Sequence, residues 1–346
     1  MRAIIVRQPT ADQTAPDPTA PDQSGTTRRP PRPGPEALVV GEVERPTPDP
    51  GEVLVRTVAA GVNRADLLQR QGLYPPPKGV TDIIGLEAAG IVEELGEGSQ
   101  GWHPGDEVVA LLSGGGYAEY FVAPAGQLIA PPKDTDLVTA ATLLEVAATV
   151  VSNMDHVSLR RGDTFLVHGG AGGIGSFAIQ YAKSLDCRVA VTAGTEAKRD
   201  YCRTLGADIA LDYHDDWLAN LRQATDGHGA DVILDIMGAK YLNANVDALA
   251  VDGRLVIIGM QGGTTGELNI ATLLGKRATV TATSLRFRSS EQKSEIVARV
   301  AEVVWPLIES GTLTPAPIER FGFEDAAAAH RRLASGEVSG KLVLTV

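Results

Sequence analysis

The chain has 346 residues, 43% of them apolar and 21% charged, which is typical of a globular protein of about two domains. Its net charge of −12 argues against a non-specific grip on nucleic acid or on an anionic membrane surface, so local positive groups must bind any anionic ligand. Two cysteines, Cys187 and Cys202, are too few for a disulfide framework or a four-cysteine zinc lobe. Because no signal peptide and no apolar run of about 20 residues is recognised, a cytoplasmic protein is expected.

A strand predicted at residues 1–7 is followed by a segment of low complexity. Residues 9–35 are rich in Pro, Thr and Asp and contain no large apolar side chain. Such a segment cannot bury enough surface to offset the entropy of ordering it. We predict a disordered insert between two strands of the first domain; a functional docking segment is the alternative.

Residues 36–135 contain short apolar or alternating runs separated by glycine and proline turns. Runs 53–58 and 107–112 have the character of strands, and residues 114–116 and 131–132 mark turns. This pattern predicts a mainly antiparallel domain.

The sequence pattern changes near residue 160. Six short apolar runs alternate with helical or irregular segments. The runs are 164–168, 188–193, 209–213, 232–237, 255–260 and 278–285. Such alternation indicates right-handed crossovers and a parallel sheet, and six strands match a complete doubly wound dinucleotide fold.

The rest of the chain resumes the first pattern. Residues 291–310 carry one apolar face and predict a long helix, kinked at Pro306 and ended by Gly311. Residues 341–346 predict a last strand.

These elements define the predicted fold class, which is α/β. A doubly wound, parallel six-stranded Rossmann domain at 145–287 is inserted in a mainly antiparallel β domain, which residues 1–144 and 288–346 form together.

The strongest local signal is a glycine loop, TFLVHGGAGGIG at residues 164–175. Gly170, Gly172 and Gly175 have GxGxxG spacing between a predicted strand and a predicted helix, which allows a tight turn, close approach of a diphosphate and close packing of helix on strand. The diphosphate then lies at the helix N-terminus, where free N–H groups favour negative charge. This context predicts dinucleotide binding; a turn that serves only packing is the alternative.

The end of the second predicted strand bears on the choice between NADH and NADPH. An NAD site usually has an acidic residue there for the ribose 2′-hydroxyl. Residues 191–195 are small and neutral, and Lys198 lies one helical turn further on. Glu196 is able to mimic the NAD-site acid, but Glu is also expected at a helix N-terminus. The pattern favours NADPH, with Arg199 expected to point elsewhere.

The sequence lacks motifs for a metal or a nucleophile. The six histidines have no metal-binding spacing, and neither GxSxG nor a Cys–His nucleophile pair occurs. Packing is the favoured role of His168, next to the glycine loop. Hydride transfer needs no protein nucleophile, because the cofactor carries the chemistry while the protein positions it and excludes water.

Several motifs resemble the medium-chain quinone oxidoreductases. They are AGVNRADLLQRQGLYPPP at 60–77, GGGYAEY at 114–120, DIMG at 235–238, GRLVIIG at 253–259 and SGKLVL at 339–344, together with the glycine loop. The resemblance covers nearly the whole chain and is strongest to the p53-inducible branch, with zeta-crystallin more distant. It implies that the antiparallel domain is GroES-like.

The resemblance also implies a zinc-free enzyme. Zinc alcohol dehydrogenases of this superfamily carry a Cys where this chain has Asn63 and a His where it has Leu86. Without those two ligands, the neighbouring Glu87 does not hold zinc in a closed site. Alcohol oxidation then lacks its activator, whereas reduction of a quinone needs none.

Individual roles follow from the same resemblance. Tyr74 matches a tyrosine beside the nicotinamide and Asn63 an asparagine on the pocket floor; both are predicted catalytic residues, with a packed loop aromatic and a turn cap as the alternatives. The implied cofactor-binding residues are Ala171, Gly172, Gly173 and Ile174 at the diphosphate, Gly194, Thr195, Lys198 and Tyr213 around the 2′-phosphate, and Gly259, Met260, Ser284, Leu285, Arg286 and Lys341 near the nicotinamide.

The predicted activity is NADPH-dependent reduction of a quinone without a metal. An ene-reductase acting on α,β-unsaturated carbonyls and a non-catalytic NADPH-binding protein stay open as alternatives. The partners expected are a small-molecule acceptor and a second copy of the chain, paired through the edge strand at 278–285, with no nucleic acid and no membrane. Two features depart from the family pattern: the insert at 9–35, and Gly172, where some members have Ser.

Overall fold

The computed structural model describes residues 1–7 and 32–346. The strands are β1 (Arg2–Val6), β2 (Leu38–Glu42), β3 (Glu52–Val62), β4 (Glu87–Leu95), β5 (Glu107–Leu111), β6 (Tyr120–Pro124), β7 (Leu128–Ile129), β8 (Thr164–His168), β9 (Arg188–Ala193), β10 (Ile209–Asp212), β11 (Ala230–Asp235), β12 (Leu249–Ile257), β13 (Thr279–Ala282), β14 (Ile318–Gly322) and β15 (Lys341–Thr345). The helices are α1 (Arg64–Arg70), α2 (Leu137–Ala140), α3 (Leu144–His156), α4 (Gly173–Ser184), α5 (Glu196–Thr204), α6 (Trp217–Ala224), α7 (Leu242–Ala248), α8 (Ile270–Lys276), α9 (Ser290–Val303), α10 (Trp305–Glu309) and α11 (Ala326–Ala334).

The first domain contains a mainly antiparallel sheet of order β14-β15-β3-β4-β5-β7, with β6 also paired to β3. Of these pairs, only β14 with β15 is parallel. Val62 of β3 lies opposite Leu342 of β15, so the chain returns to the first sheet after building the second. This arrangement confirms the predicted mainly antiparallel domain.

Residues 9–31 of the predicted insert at 9–35 lie outside the described residues. The strands on either side of it, β1 and β2, pair with each other, with Val6 opposite Leu38. The prediction is wrong for the last residues of the segment. Pro33 accepts a hydrogen bond of 3.2 Å from Arg70 Nε, and Pro35 begins a 3-10 turn.

The second sheet is parallel and has the order β10-β9-β8-β11-β12-β13. This is the strand order of a doubly wound dinucleotide fold. β8 is buried at every position because helices cover both faces of a parallel sheet, which explains why its sequence is a continuous apolar run. The predicted fold class is confirmed.

Some predicted strand limits are wrong. The third strand of this sheet ends at Asp212, so Tyr213 lies in the turn that follows. The fifth strand begins at Leu249, which pairs with Ala230 before a shift in register. The sixth ends at Ala282 instead of residue 285.

The predicted long helix at 291–310 is two helices, α9 and α10. The break falls at Val304, because Pro306 has no N–H for a continuous helical ladder and is accommodated in the first turn of α10 instead. Gly311 ends α10 with a φ of +74°, as predicted.

The domain limits at 144/145 and 287/288 stay predictions. In residues 1–7 and 32–346, no helix combines the length and the apolar character that crossing a bilayer requires.

Candidate active site

The glycine loop joins β8 to α4, which begins at Gly173 with Gly172 as its N-cap. The glycines are needed for space. A Cβ on Gly175 would lie 2.5 Å from Gly170 Cα, and a Cβ on Gly170 would lie 2.8 Å from Val191 Cβ. The loop and the start of α4 are therefore packed tightly, with the free N–H groups of the helix facing the loop.

The last strand of the first domain contacts the glycine loop. Gly340 N–H donates to Ala171 O at 3.0 Å, and Gly172 and Gly340 form a parallel bridge. A Cβ on Gly173 would lie 2.6 Å from Lys341 Cδ. The loop is thus fixed against residues of both domains, and four of the predicted site residues lie together here.

The residues predicted around the 2′-phosphate also lie together, where β9 and β10 end. Thr195 caps α5, and its Oγ1 accepts from Lys198 N–H at 3.3 Å. The Tyr213 ring lies against Gly194, where a Cβ would be 2.5 Å from Tyr213 Cζ. Lys198 Nζ donates to the carbonyl of Gly336, which belongs to the first domain.

The acidic residues of this region are occupied by arginines. Glu196 accepts from Arg203 at 2.8 Å and from Arg199, and these bonds lower the pKa of Glu196. Arg199 also donates to Asp212 at the end of β10. Arg199 Nη1 also donates to Ala193 O, at the end of β9, at 3.4 Å, so the prediction that Arg199 points elsewhere is wrong. Glu196 is therefore paired along α5, whereas the Lys198 ammonium is hydrogen-bonded to a backbone carbonyl.

Tyr74 lies beside Ser284 and Arg286, two of the residues predicted to lie near the nicotinamide. Its Oη is 3.2 Å from Ser284 Oγ, and the Arg286 guanidinium lies 5.1 Å from the centre of its ring. Burial raises the Tyr74 pKa, so the phenol keeps its proton at neutral pH. Arg286 is buried and donates to the carbonyls of Ser113 and Tyr74 and to Gln69 Oε1, which fixes the segment after β13 against the first domain.

The other predicted residues near the nicotinamide are more loosely placed. Gly259 follows β12 and packs against Ile236, where a Cβ would lie 2.7 Å from Ile236 O. The Met260 side chain is 58% exposed, and Leu285 packs partly on the main core. The structure brings Ser284 and Arg286 to Tyr74, whereas it records no hydrogen bond between Met260 and these residues.

A buried ion pair joins β4 to β15. Lys341 Nζ donates to Glu87 Oε1 at 2.7 Å and to Asn63 Oδ1 at 2.6 Å, and Asn63 Nδ2 donates to the same Glu87 oxygen at 3.0 Å. Lys341 is 5% exposed and Glu87 is fully buried. Both polar atoms of the Asn63 amide are therefore committed to protein groups.

This arrangement does not fit zinc. The ammonium of Lys341 bonds directly to Asn63 and Glu87. By the resemblance described above, the Asn63 position is that of the cysteine in zinc alcohol dehydrogenases, and Glu87 follows the position of their histidine. Among the described residues, no three His, Cys, Asp or Glu side chains are placed to share a metal. Cations bind carboxylates that are free, and here the ammonium already neutralises Glu87.

Sequence reasoning missed Glu145, the first-turn acid of α3. Its N–H donates to Glu87 Oε2 at 3.0 Å, and its Oε1 accepts from Thr149 Oγ1 at 3.3 Å. Burial raises the Glu145 pKa to about 7. No motif marks this residue, because only the fold brings α3 to Glu87.

The packing of His168 is extensive. It is buried, with Nε2 2.7 Å from Asn245 Oδ1 and Nδ1 3.1 Å from Thr192 Oγ1. Trp217 and Tyr241 contact its ring edge to face. Burial lowers its pKa to about 4, so the ring is neutral at physiological pH.

Two family models match the chain. The Alcohol dehydrogenase GroES-like domain matches residues 49–133, and the model described as Zinc-binding dehydrogenase matches residues 173–302. The first corresponds to the antiparallel sheet and the second to most of the parallel sheet.

Individual proteins match over most of the chain. A quinone oxidoreductase of Pseudomonas aeruginosa is 32% identical, and the alignment covers 90% of this chain and 96% of the relative. A 2-haloacrylate reductase of Burkholderia is 30% identical, with the same coverages. A polyketide synthase subunit of Mycobacterium tuberculosis is 31% identical, but the chain spans only 14% of its length.

Among solved structures, Escherichia coli quinone oxidoreductase complexed with NADPH has a TM-score of 0.82 at 28% identity, over 91% of this chain and 98% of that one. The two sheets, the glycine loop and these matches define a medium-chain dehydrogenase/reductase. The chain belongs to the quinone oxidoreductase-like family of that class.

Proposed function

We propose that this protein is an NADPH-dependent oxidoreductase that reduces a small molecule with a double bond conjugated to a carbonyl group. A quinone is the first candidate. The observation that carries the proposal is the neutral end of β9, where Tyr213 lies against Gly194, Lys198 lies in the first turn of α5, and the acid Glu196 is paired with arginines. Such a site accepts a 2′-phosphate, whereas an NAD site offers a free carboxylate. The related quinone oxidoreductase structure, which contains NADPH, supports this choice.

The residues suit distinct parts of the cofactor. Residues 171–174 and the N-terminus of α4 suit the diphosphate, and Lys198 suits the 2′-phosphate. Tyr74 and Ser284 suit the nicotinamide end, where the bound cofactor supplies a hydride. Because Asn63 bonds to Lys341 and Glu87, we assign it a positioning role at this end.

The acceptor is to be tested among two chemical classes. Quinones come first because the Pseudomonas relative is a quinone oxidoreductase. Activated alkenes come second because the Burkholderia relative, equally covered, is a 2-haloacrylate reductase. Steady-state rates with benzoquinones, naphthoquinones, enones and haloacrylates, each with NADPH, rank the two classes. A higher kcat/KM for the alkenes reverses the order, and no turnover with any acceptor refutes the oxidoreductase proposal.

We also propose a homodimer that pairs through the edge of β13 that no other strand of residues 1–7 and 32–346 covers. This strand lies at the edge of the parallel sheet and carries no charged residue. Unprotected edges of that kind favour pairing with a second chain. The neighbouring helix α8 exposes Ile270 and Leu274, which are 61% and 75% exposed and lie one turn apart. A two-fold interface that covers both features is self-complementary.

The expected result of replacing Ala282 with proline is a monomer. Thr283 N–H donates to Ile257 O, so by alternation Thr281 also faces β12 while Ala282 directs its N–H to the free edge. Proline at 282 removes that edge donor and leaves the β12 ladder intact. Light scattering gives the mass. Ala282→Gly, which keeps the N–H, is the control and should stay dimeric; a wild-type monomer at micromolar concentration refutes the interface.

A further inference from the structure

The segment between β13 and α9, residues 283–289, is held against the first domain. Arg286 donates hydrogen bonds of 2.7 to 3.0 Å to three acceptors of that domain. Arg288 N–H donates to Leu285 O at 3.2 Å, which closes a turn. Side chains of this segment are therefore presented on an ordered backbone.

Phe287 is the third residue of this turn, and it is 55% exposed. The two residues before it point inward, since Arg286 is 4% exposed and Leu285 packs partly on the main core. Phe287 belongs to none of the hydrophobic clusters that residues 1–7 and 32–346 form. Turns favour Gly, Asn, Asp and Ser, so neither the turn nor the core explains an aromatic side chain here.

The aromatic neighbour of Phe287 is Tyr74, which belongs to the first domain. The two ring centres lie 5.5 Å apart and the ring planes meet at 82°, an edge-to-face arrangement. Tyr74 Oη is in turn 3.2 Å from Ser284 Oγ. Phe287 therefore extends the aromatic surface of Tyr74 at a right angle, directly beside the residues assigned to the nicotinamide end.

We propose that Phe287 determines acceptor specificity and favours quinones with a second, fused ring over single-ring quinones and small alkenes. This inference rests on the proposed function. The quinone ring lies against Tyr74, where the cofactor delivers its hydride, and the fused ring covers Phe287. Because the fused ring is flat and apolar, this removes apolar surface from water and adds an aromatic contact. A 2-haloacrylate has no group that makes this contact.

The position of Phe287 also defines its kinetic effect. The ring lies beside the fused ring of the acceptor and takes part in no bond that forms or breaks. Its contribution is the same in the ground state and in the transition state, so it lowers KM and leaves kcat unchanged. Since the hydrogen bonds of Arg286 already order the turn, little conformational entropy is lost when the acceptor binds.

The kinetic test compares 2,3-dimethyl-1,4-naphthoquinone with tetramethyl-1,4-benzoquinone. Both quinone rings are fully substituted, so neither adds to protein thiols, and the two acceptors differ by the fused ring. Phe287→Ala should raise KM for the naphthoquinone about 3- to 10-fold at unchanged kcat. KM for the benzoquinone should change less than about twofold. Phe287→Tyr keeps an aromatic ring and should retain the wild-type values for both acceptors.

Two controls separate this effect from a general disturbance. The Kd for NADPH, measured by fluorescence titration, should change less than about twofold in Phe287→Ala, because the hydrogen bonds of Arg286 that hold the segment are retained. Val40→Ala removes part of another exposed apolar side chain, 38% exposed on β2, and should keep the wild-type ratio of the two KM values.

A second readout does not depend on turnover. Titration calorimetry with the full chain and saturating NADP⁺, which cannot donate a hydride, gives the Kd for the naphthoquinone. That Kd should rise about 3- to 10-fold in Phe287→Ala. Quinone turnover with the same KM ratio and the same Kd in wild type and Phe287→Ala overturns the role of Phe287 and leaves the proposed function standing.

The opposite failure gives a different pattern. A wild type that reduces no acceptor refutes the proposed function, and the calorimetric comparison still decides whether Phe287 binds a fused ring. Equal Kd values in the two proteins, or no binding of the naphthoquinone to the wild type, refute that role as well.

Discussion

Replacing Lys341 with methionine is expected to lower the free energy of unfolding by about 3–5 kcal/mol. Lys341 is 5% exposed and donates to the fully buried Glu87 and to Asn63. Methionine retains the packing of the stem against Gly173 but leaves the Glu87 carboxylate without its cation. An unpaired buried charge costs more than the pair contributes, so the loss should greatly exceed that of a surface ion pair. Denaturant unfolding without coenzyme measures it.

Two variants make this result interpretable. Lys183→Met breaks the surface ion pair of Lys183 and Asp208, whose side chains are 36% and 38% exposed. It should lower the free energy of unfolding by less than about 1 kcal/mol. The double variant Lys341→Met, Glu87→Gln removes the unpaired charge and should regain much of the loss. If Lys341→Met is no less stable than Lys183→Met, the buried pair does not stabilise the fold as inferred.

Replacing Lys198 with alanine is expected to weaken NADPH binding about 10- to 100-fold and to leave NADH binding nearly unchanged. A charge-assisted bond to phosphate contributes about 1.5–3 kcal/mol, and 1.4 kcal/mol corresponds to a factor of ten. The Lys198 ammonium has three N–H donors and gives one to the Gly336 carbonyl, so it retains donors for a 2′-phosphate. Fluorescence titration with both cofactors gives the ratio.

Arg203→Ala is the matched control for this prediction. Arg203 lies on the same helix, bonds to Glu196 and Asp200, and should not affect the NADPH/NADH ratio. Glu196 keeps its bond to Arg199 in that variant. If Lys198→Ala retains the wild-type ratio, the cation that selects the phosphate is another residue.

The sequence predicted features that depend on local patterns. The glycine loop, the strand before it and the apolar stripe of α4 lie within 164–184, so their spacing alone defines a strand, a turn and a helix. Lys198 was located by its spacing from the neutral strand end, and Gly194 and Tyr213 through family resemblance. The fold packs Tyr213 against Gly194 although Tyr213 lies beyond the strand end.

Features that depend on distant contacts were not predictable in the same way. The cluster of Glu87, Glu145 and Lys341 joins three elements that are far apart in the chain, and only their packing buries Glu145 and raises its pKa. The short β13 has a similar cause, because Arg286 bonds to Ser113 and Gln69 and draws the chain away from the sheet. No spacing of residues in the sequence predicts either feature.

The pairing of β3 with β15 has a consequence for the order of events during synthesis on the ribosome. Val62 and Leu342 are partners, yet 279 residues intervene between them, so one flank of β3 has no partner until β15 has emerged. The parallel sheet between them is complete in sequence by residue 282 and is able to fold earlier as a unit. Closure of the first domain should therefore be a late and slow step, because contacts of high sequence separation form slowly. Until then, the glycine loop lacks its contacts with Gly340 and Lys341, so a nascent chain acquires its complete nucleotide pocket last.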